Sequence, residues 1–286
     1  MAAILNTYSL ICPQIPFKDR FGNISAFTEM NPAMWYDDSS GLWTVLVRGV
    51  NYRKFSNNAF TLYHSPAHSV YWIGEGTDLN TLSFKELKYD FGNLPWNGSY
   101  WNGVEDIRFL DRSTVISCVP QLNPGGGPAL FKATLNREKS LLQSFKPLEP
   151  HQRPEKNWLP FPGGHVVLYS CSPLCMKALE TDSIQEIPCD PSITKVLEGY
   201  HGSTNGVKIN DTWYFLVHKN NVNGRTIHRW LKININFKSI EVSDSFTFFK
   251  HSYIEFPCSL VHKDDTLYVS LGVNDDKAYI IQIDEI

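Results

Sequence analysis

The stretch DTWYFLVH, residues 211–218, begins at a turn and continues as a run of aromatic and β-branched side chains. Such runs favour β-strands, because these side chains pack well on a pleated surface. The same form recurs as GLWTVLVR from residue 41, STVISCV from 113, GHVVLYS from 164 and DTLYVSL from 265. Helical periodicity is almost absent from the chain. The sequence therefore predicts an all-β protein with an internal repeat.

Each of the five runs lies between other short strand-like segments. The preceding segments are NPAMWYDDSS from 31, VEDIRFLDR from 104, KNWLPFPG from 156, HGSTNGVKIN from 201 and IEFPCSLVHKD from 254. The following segments include AFTLYHS from 59, ALFKATL from 129, PLCMKAL from 173 and TIHRWLKI from 226. Repeats of roughly 45 to 70 residues, each with three or four antiparallel strands, are typical of β-propeller blades.

The five recurrences predict a single five-bladed β-propeller domain over residues 1–286. The expected blades are 25–90, 100–145, 155–190, 198–243 and 247–286. The last blade ends after about three strands, so an N-terminal strand such as ILNTYSLI is expected to complete it and close the ring. Closure removes the exposed edges of an open array. A pair of β-sandwiches is the alternative for this pattern.

Composition excludes several classes of protein. Of 286 residues, 42% are hydrophobic and 19% are charged, which is typical of a globular chain. A net charge of −3 gives no electrostatic footprint for nucleic acid. No run approaches the roughly 18 apolar residues of a membrane span, and the N-terminus lacks the pattern of a secretory signal. We therefore expect a cytoplasmic protein with no nucleic-acid or membrane partner.

The six cysteines point to a reduced protein. Most lie in apolar, strand-like segments and are interpreted as small buried hydrophobic residues. Cys171, Cys175 and Cys189 lie near one another in sequence, but their spacing matches no zinc pattern. The prediction is that no metal is bound.

The segment GVEDIRFL, residues 103–110, places two carboxylates and a guanidinium in an otherwise apolar run. In a propeller the first strand of each blade lines the central channel. The start of that strand lies beside the end of the second, because the two are antiparallel. Polar residues at these positions should therefore meet at one mouth of the channel. They are Asn31, Glu105, Asp106, Lys156, Asn157, His201 and Glu255 at the strand starts, and Arg48, His218, Lys219, Asn274 and Asp275 at the strand ends.

These motifs resemble, in order, those of the five-bladed propellers of β-mannoside phosphorylases and their glycosidase and mannosyltransferase relatives. The likeness begins near residue 25 and rests on five short motifs. They are Asn31-Pro32 with Arg48, then Glu105-Asp106-Ile107-Arg108, Lys156-Asn157, the pair HGSTN and LVHK, and FPCS with GVNDD. HGSTN, VHK and GVNDD depart most from the family, while the second motif is nearly intact.

The resemblance implies a pocket for mannose or a similar sugar and inverting cleavage or transfer at a glycosidic bond. Asp106 would be the general acid, with Glu105 beside it. Arg48, Lys156 and His218 would hold phosphate or the diphosphate of a nucleotide sugar as co-substrate, and no other cofactor is implied. Asn31, Arg108, Asn157, His201, Glu255 and Asp275 complete the predicted substrate-binding set.

A general acid requires a raised pKa, and burial of Asp106 beside Glu105 is expected to supply it. The alternative is an Asp106–Arg108 ion pair that braces the blades. A phosphorylase or transferase is favoured over a hydrolase, which would need a carboxylate base such as Glu255 or Asp275.

Several further expectations concern the surroundings of this pocket. Trp101, Trp158 and Tyr200 adjoin the motif strands and are candidates for a sugar platform, with core packing as the alternative. Thr204 and Asn205 are candidates for binding sugar hydroxyls. A propeller that binds glycan or protein without catalysis is the second functional hypothesis. The polar residues that the five blades contribute to the mouth differ in chemistry, which favours one asymmetric site. A homo-oligomer is left open.

Overall fold

The computed structural model describes residues 3–54, 60–62, 67–98, 101–148 and 154–284. Over these residues the protein is all-β, with one short α-helix, Pro191–Val196, and two 3-10 turns, Leu79–Thr81 and Pro120–Leu122. No helix in the described ranges has the length and apolar character needed to cross a membrane.

The strands of the first half of the chain are short and closely spaced. They are β1 (Ile4–Ser9), β2 (Pro16–Lys18), β3 (Ile24–Ala26), β4 (Thr28–Asp37), β5 (Leu42–Val50), β6 (Tyr52–Lys54), β7 (Phe60–Leu62), β8 (Ala67–Gly76), β9 (Ser83–Tyr89), β10 (Trp101–Asn102), β11 (Glu105–Phe109), β12 (Thr114–Cys118), β13 (Leu130–Asn136) and β14 (Leu141–Pro147). The second half continues the pattern. Its strands are β15 (Leu159–Pro160), β16 (Val166–Cys171), β17 (Leu174–Ala178), β18 (Ile184–Glu186), β19 (His201–Gly202), β20 (Val207–Ile209), β21 (Thr212–Asn220), β22 (Thr226–Asn234), β23 (Ile240–Val242), β24 (Glu255–Lys263), β25 (Thr266–Val273) and β26 (Lys277–Ile283).

Strand pairing forms successive antiparallel units from neighbouring parts of the chain. The units are β4-β5-β8-β9, β11-β12-β13-β14, β15-β16-β17-β18, β19 and β20 with β21-β22-β23, and β24-β25-β26-β1; a short parallel pairing of β14 with β9 joins the first two units into one sheet. The N-terminal β1 pairs with β26, with Tyr8 opposite Ile280. The expectation that this strand completes the last repeat is confirmed.

The expected strand AFTLYHS is misplaced in the sequence interpretation. Its residues Phe60–Leu62 form β7, which pairs with β6 in a separate hairpin. The third strand of the first unit is β8, whose segment 69–74 is buried throughout and packs between β5 and β9. Continuous burial suits a central strand better than the mixed pattern of AFTLYHS. Residues 59 and 63–65 lie outside the described ranges.

Neighbouring units contact each other in sequence, and the fifth contacts the first. The contacts run β4 to β11, β11 to β15, β16 to β19, β20 to β24, and β24 back to β4. A hydrophobic cluster lies between each pair of neighbouring units, as where Met34 and Trp72 of the first meet Ile280 of the fifth. The beginnings of the first strands are thereby held around one common opening.

Candidate active site

A cavity of about 730 Å³ opens where the first strands begin, and every unit contributes to its wall. Most of the predicted site residues line this cavity. They are Asn31, Arg48, Glu105, Asp106, Lys156, Asn157, His201, His218 and Asp275, together with Lys219. Residues far apart in the chain are thus brought together, while their chemical roles stay predictions.

Arg48 joins both carboxylates of the second motif. Its side chain is 4% exposed; Nη2 donates to Glu105 Oε1 at 2.6 Å, and Nη1 donates to Asp106 Oδ1 at 3.1 Å. Its Nε donates to Ser69 Oγ at 3.0 Å, and Nη2 also reaches Tyr52 Oη at 3.4 Å. The ion pair formed by Asp106 is therefore with Arg48, which lies on the first unit rather than beside it in sequence.

Two adjacent side chains of a regular strand would point to opposite faces, yet Glu105 and Asp106 bind the same guanidinium. The β11–β12 register shifts between Glu105 and Arg108, and Asp106 has a φ of 48°. This is a β-bulge, which redirects side chains near its extra residue. The bulge allows both carboxylates to reach the cavity.

The first strand of the first unit has a similar irregularity. The β4–β5 register shifts between Met30 and Ala33, and Asn31 has a φ of 40°. Its Nδ2 donates to Asp106 Oδ1 at 3.0 Å. Gly272 of β25 leaves the necessary room, because a Cβ there would overlap Asn31 Oδ1 and lie 2.7 Å from Asn31 N.

The two carboxyl groups are perturbed in opposite directions. Burial raises the pKa of the Glu105 carboxyl, and the nearby Asp106 adds to this against the opposing effect of Arg48. Burial acts the same way on Asp106, but Arg48, Arg108 and the hydrogen bond from Asn31 outweigh it and lower its pKa. The expectation of a raised pKa for Asp106 is wrong; the shift falls on Glu105. Arg48 and Asn31, distant in sequence, cause the difference.

Glu255, Arg108 and Asn274 were expected at this opening but do not line the cavity; Asn274 Oδ1 accepts from the backbone N–H groups of Tyr253 and Ile254 instead. The Glu255 carboxylate is buried and accepts from the backbone N–H groups of Phe248 and Phe249, both at 2.8 Å. His228 Nε2 lies 3.2 Å from Glu255 Oε2. Because these contacts occupy Glu255, it anchors the 248–252 segment instead of binding substrate.

Arg108 is also buried, with its Nε donating to the carbonyl of Ser203 at 2.5 Å and its Nη1 donating to the backbone carbonyl of Asp106 at 3.2 Å. It connects the second and fourth units. The predicted Asp106–Arg108 ion pair is therefore not formed; Arg108 binds backbone oxygens instead.

The wall formed by the fourth unit carries two histidines opposite one another on β19 and β21. Burial lowers the pKa of His218 well below its ordinary value, and the neighbouring His228, His201, Arg108 and Lys156 lower it further. Burial and Lys156 lower the pKa of His201 as well. Both rings are therefore neutral near pH 7, so His218 adds no positive charge to the phosphate site that the resemblance implies for it.

Of the three predicted sugar platforms, only Trp101 lies in the cavity. Its ring is 5.4 Å from that of Tyr52, at an interplanar angle of 86°. Trp158 is fully buried, with Lys177 Nζ 4.6 Å from the centre of its ring. Tyr200 is buried and contacts Lys219 and Arg229. For these last two the packing alternative is correct.

Thr204 and Asn205 serve the backbone rather than a ligand. Thr204 Oγ1 accepts from Leu216 N at 3.0 Å, and Asn205 Nδ2 donates to Leu260 O at 2.9 Å. Both are buried and neither lines the cavity.

Sequence reasoning missed several cavity residues. They are Met30, Tyr52, Pro120, Gly126, Pro128, Gly199, Asn220, Thr226, Ile254 and Phe256. Most follow or precede a predicted site residue by a few positions, which is a signal that could have found them. The glycine-rich loop LNPGGGPAL, residues 122–130, contributes Gly126 and Pro128. Among the described residues, no group of three or more histidine, cysteine or acidic side chains is arranged to hold a metal ion.

No protein-family model matches this chain, and no curated protein sequence matches it. Several solved structures match this chain in fold. β-1,2-Mannobiose phosphorylase from Listeria innocua has 12% sequence identity and a TM-score of 0.59, with 99% of this chain and 97% of that chain covered. A glycosyl hydrolase from Bacteroides ovatus has 14% identity and a TM-score of 0.60, with 97% and 90% covered.

A third structure comes from the GH130 family of mannoside phosphorylases, which contains glycoside hydrolases that target β-1,2 mannosidic linkages in Candida mannan. It has 13% identity and a TM-score of 0.58, with 98% of this chain and 94% of that chain covered. At these identities the likeness shows a shared fold. The resemblance inferred from the five motifs is confirmed at that level.

Proposed function

We propose that this protein is a carbohydrate-active enzyme that cleaves or forms a mannoside-like glycosidic bond with inversion. One observation carries the proposal: two adjacent carboxylates share a single buried guanidinium within a cavity of about 730 Å³. A cavity of this size is in the range of sites for small organic ligands. The five antiparallel units are proposed to be the blades of one five-bladed propeller domain spanning residues 1–286.

The acid is proposed to be the Glu105–Asp106 pair, with Asp106 delivering the proton. Environments that push two carboxyl pKa values apart separate the roles of acid and base. The raised pKa of Glu105 makes it the member that keeps its proton to higher pH. Because the two groups are coupled, the proton belongs to the pair, and both residues are needed to supply it.

A phosphorylase or a transferase is favoured over a hydrolase. The Lys156 side chain lines the cavity and forms no hydrogen bond or ion pair with any residue in the described ranges. A cation so placed suits the oxygens of inorganic phosphate or of a nucleotide-sugar diphosphate. In a hydrolase Asp275 would be the candidate base, since Glu255 is occupied elsewhere.

The test is to incubate the protein with mannose 1-phosphate and acceptor sugars, with GDP-mannose, and with β-mannosides in the presence and absence of phosphate. NMR would identify the products and the anomer first released. Phosphate-dependent turnover, lost in Asp106→Asn and in Glu105→Gln, is the expected result for a phosphorylase. Turnover from GDP-mannose alone would identify a transferase, and free mannose without phosphate would identify a hydrolase.

A binding protein without catalysis is the second candidate. The nearly complete burial of Arg48 against both carboxylates favours it, because such a network also serves as a brace between units. Saturable sugar binding without turnover, unchanged in Asp106→Asn, would establish this function and exclude the first.

A further inference from the structure

A buried serine forms a hydrogen bond with the ring of His218. Ser203 Oγ lies 2.6 Å from His218 Nδ1, and Ser203 is 0% exposed. Its backbone is fixed on both sides, since Ser203 N donates to Leu216 O at 3.1 Å and Ser203 O accepts from Arg108 Nε at 2.5 Å. The hydroxyl is therefore held rigidly against one ring nitrogen.

The number of available partners decides which atom is the donor. A serine hydroxyl has one proton to donate, and a neutral imidazole has one N–H and one bare nitrogen. Within the described residues, the hydroxyl of Ser203 has no second partner. If Nδ1 carried the proton, the buried hydroxyl proton would have no acceptor, at the cost of a lost hydrogen bond. If the hydroxyl donates to Nδ1, both groups are satisfied.

The remaining proton of neutral His218 must then be on Nε2. This atom has no hydrogen-bond partner in the part of the chain that the structure describes, and His218 lines the cavity. The ring packs at 5.0 Å from that of Phe256, with an interplanar angle of 70°, which restricts its rotation. The cationic side chains of Arg108 and Lys156 lie near the ring and oppose a second proton.

We propose that Ser203 is a positioning residue that fixes His218 as the Nε2–H tautomer, so that His218 donates a hydrogen bond to an oxygen atom of the bound sugar. The ring thus recognises an uncharged oxygen acceptor and adds no charge to the wall. Arg108 supports this arrangement through the Ser203 carbonyl, which gives a role to a predicted site residue that does not reach the cavity. The use of the donor for sugar rests on the proposed function; the tautomer does not.

Long-range ¹H–¹⁵N correlation NMR of the ¹⁵N-labelled protein reads the tautomer without any ligand. The wild type is expected to show His218 with a protonated Nε2 and a bare Nδ1 at pH 7. Ser203→Ala should convert the ring to a mixture of tautomers. Ser117→Ala is the matched control, because Ser117 is also a fully buried serine and its hydroxyl has no partner among the described residues. It should leave the His218 spectrum unchanged.

Sugar affinity gives the second measurement, by titration calorimetry with mannose and β-mannosides. Ser203→Ala should weaken binding about three- to tenfold, which corresponds to one neutral hydrogen bond, and Ser117→Ala should not. A wild-type ring protonated on Nδ1, or on both nitrogens, would overturn the proposal, as would a Ser203→Ala variant with unchanged tautomer and affinity. The expected tautomer in a protein that binds no sugar would instead overturn the proposed function and this use of the donor.

Discussion

Glu105 and Asp106 show how neighbouring identical groups acquire different properties from contacts that are distant in sequence. Both are carboxyls on one bulge and both bind Arg48. Only Asp106 also accepts a hydrogen bond from Asn31 and lies against Arg108. These additional contacts reverse the effect of burial, so one group is held charged and its neighbour is pushed toward the neutral form.

The pKa values of Glu105 and Asp106 are shifted in opposite directions, which predicts opposite pH dependences of stability for Glu105→Gln and Asp106→Asn. The folded-state pKa of Asp106 is lowered, so its charge stabilises the fold above about pH 4 and this contribution is lost as pH falls through the folded value. The folded-state pKa of Glu105 is raised, so its contribution is present below about pH 4 and is lost as pH rises through the folded value.

Relative to wild type, Asp106→Asn should therefore lose stability as pH rises toward about 4 and keep that deficit above it, whereas Glu105→Gln should gain stability as pH rises above about 4. Each unit of difference between the folded and unfolded pKa corresponds to about 1.4 kcal/mol. Urea unfolding at several pH values measures both slopes, with Glu86→Gln on the exposed side of β9 as the control for loss of a surface carboxylate. Slopes of the same sign would refute the assignment.

At the scale of the element, the irregular first strands matter more than the regular ones. Bulges in β4 and β11 place Asn31 and Asp106 at positive φ, and a third register shift occurs in β24 between Pro257 and Ser259. Each interrupts the alternation by which a strand would divide its side chains between two faces. The site depends on these interruptions, since a regular β11 would direct only one of the two carboxylates to Arg48.

Gly272→Ala tests whether the bulge in β4 is held in place. The added methyl group would overlap Asn31 Oδ1, so Asn31 must move away from Asp106. We expect a loss of about 1–3 kcal/mol of unfolding free energy, together with reduced turnover or sugar binding. Gly76→Ala is the control, because a Cβ there would meet the flexible Leu82 side chain at 3.2 Å. Equal effects of the two substitutions in urea unfolding and in activity would contradict the role of Gly272.

The sequence predicted elements well where alternation of apolar residues determines them. All five central runs are strands, and their polar ends meet at the cavity as expected. Prediction from the sequence failed where contacts between distant segments determine the position of a side chain. Glu255 looked like a cavity residue, but His228 and two backbone N–H groups, none of them identifiable as partners from the sequence, bind its carboxylate. Hairpin pairing in β6 and β7 was likewise hidden, because a three-residue strand has no detectable period.

At the scale of the whole molecule, the two ends of the described chain meet in one sheet. β1 is the outer strand of the last unit, so the first and last strands of the described chain are joined by hydrogen bonds. Every other unit takes its strands from one continuous part of the chain. At the β1–β26 pairing the last unit is completed by a segment from the other end of the described chain.

Removal of residues 1–9 should abolish the pairing of β1 with β26. The deletion would expose the edge of β26, whose Ile280, Ile281 and Ile283 are buried, and an unpaired apolar edge promotes association. We expect a loss of about 2–5 kcal/mol of unfolding free energy from the lost ladder bonds, and self-association that increases with concentration. Urea unfolding and analytical ultracentrifugation measure the two effects. Leu5→Ser, at an exposed position of the same strand, is the control and should change neither.

Adding β1 back as a peptide distinguishes loss of the β1–β26 pairing from a general loss of folded structure. A synthetic peptide of residues 1–10 should restore both stability and the monomeric state, because it can occupy the vacated edge of β26 in the same register. Sugar binding should recover with it, since β26 lies next to β25, and β25 carries the Gly272 that leaves room for Asn31. A truncated protein as stable as the full chain would show that the β1–β26 pairing does not stabilise the last unit.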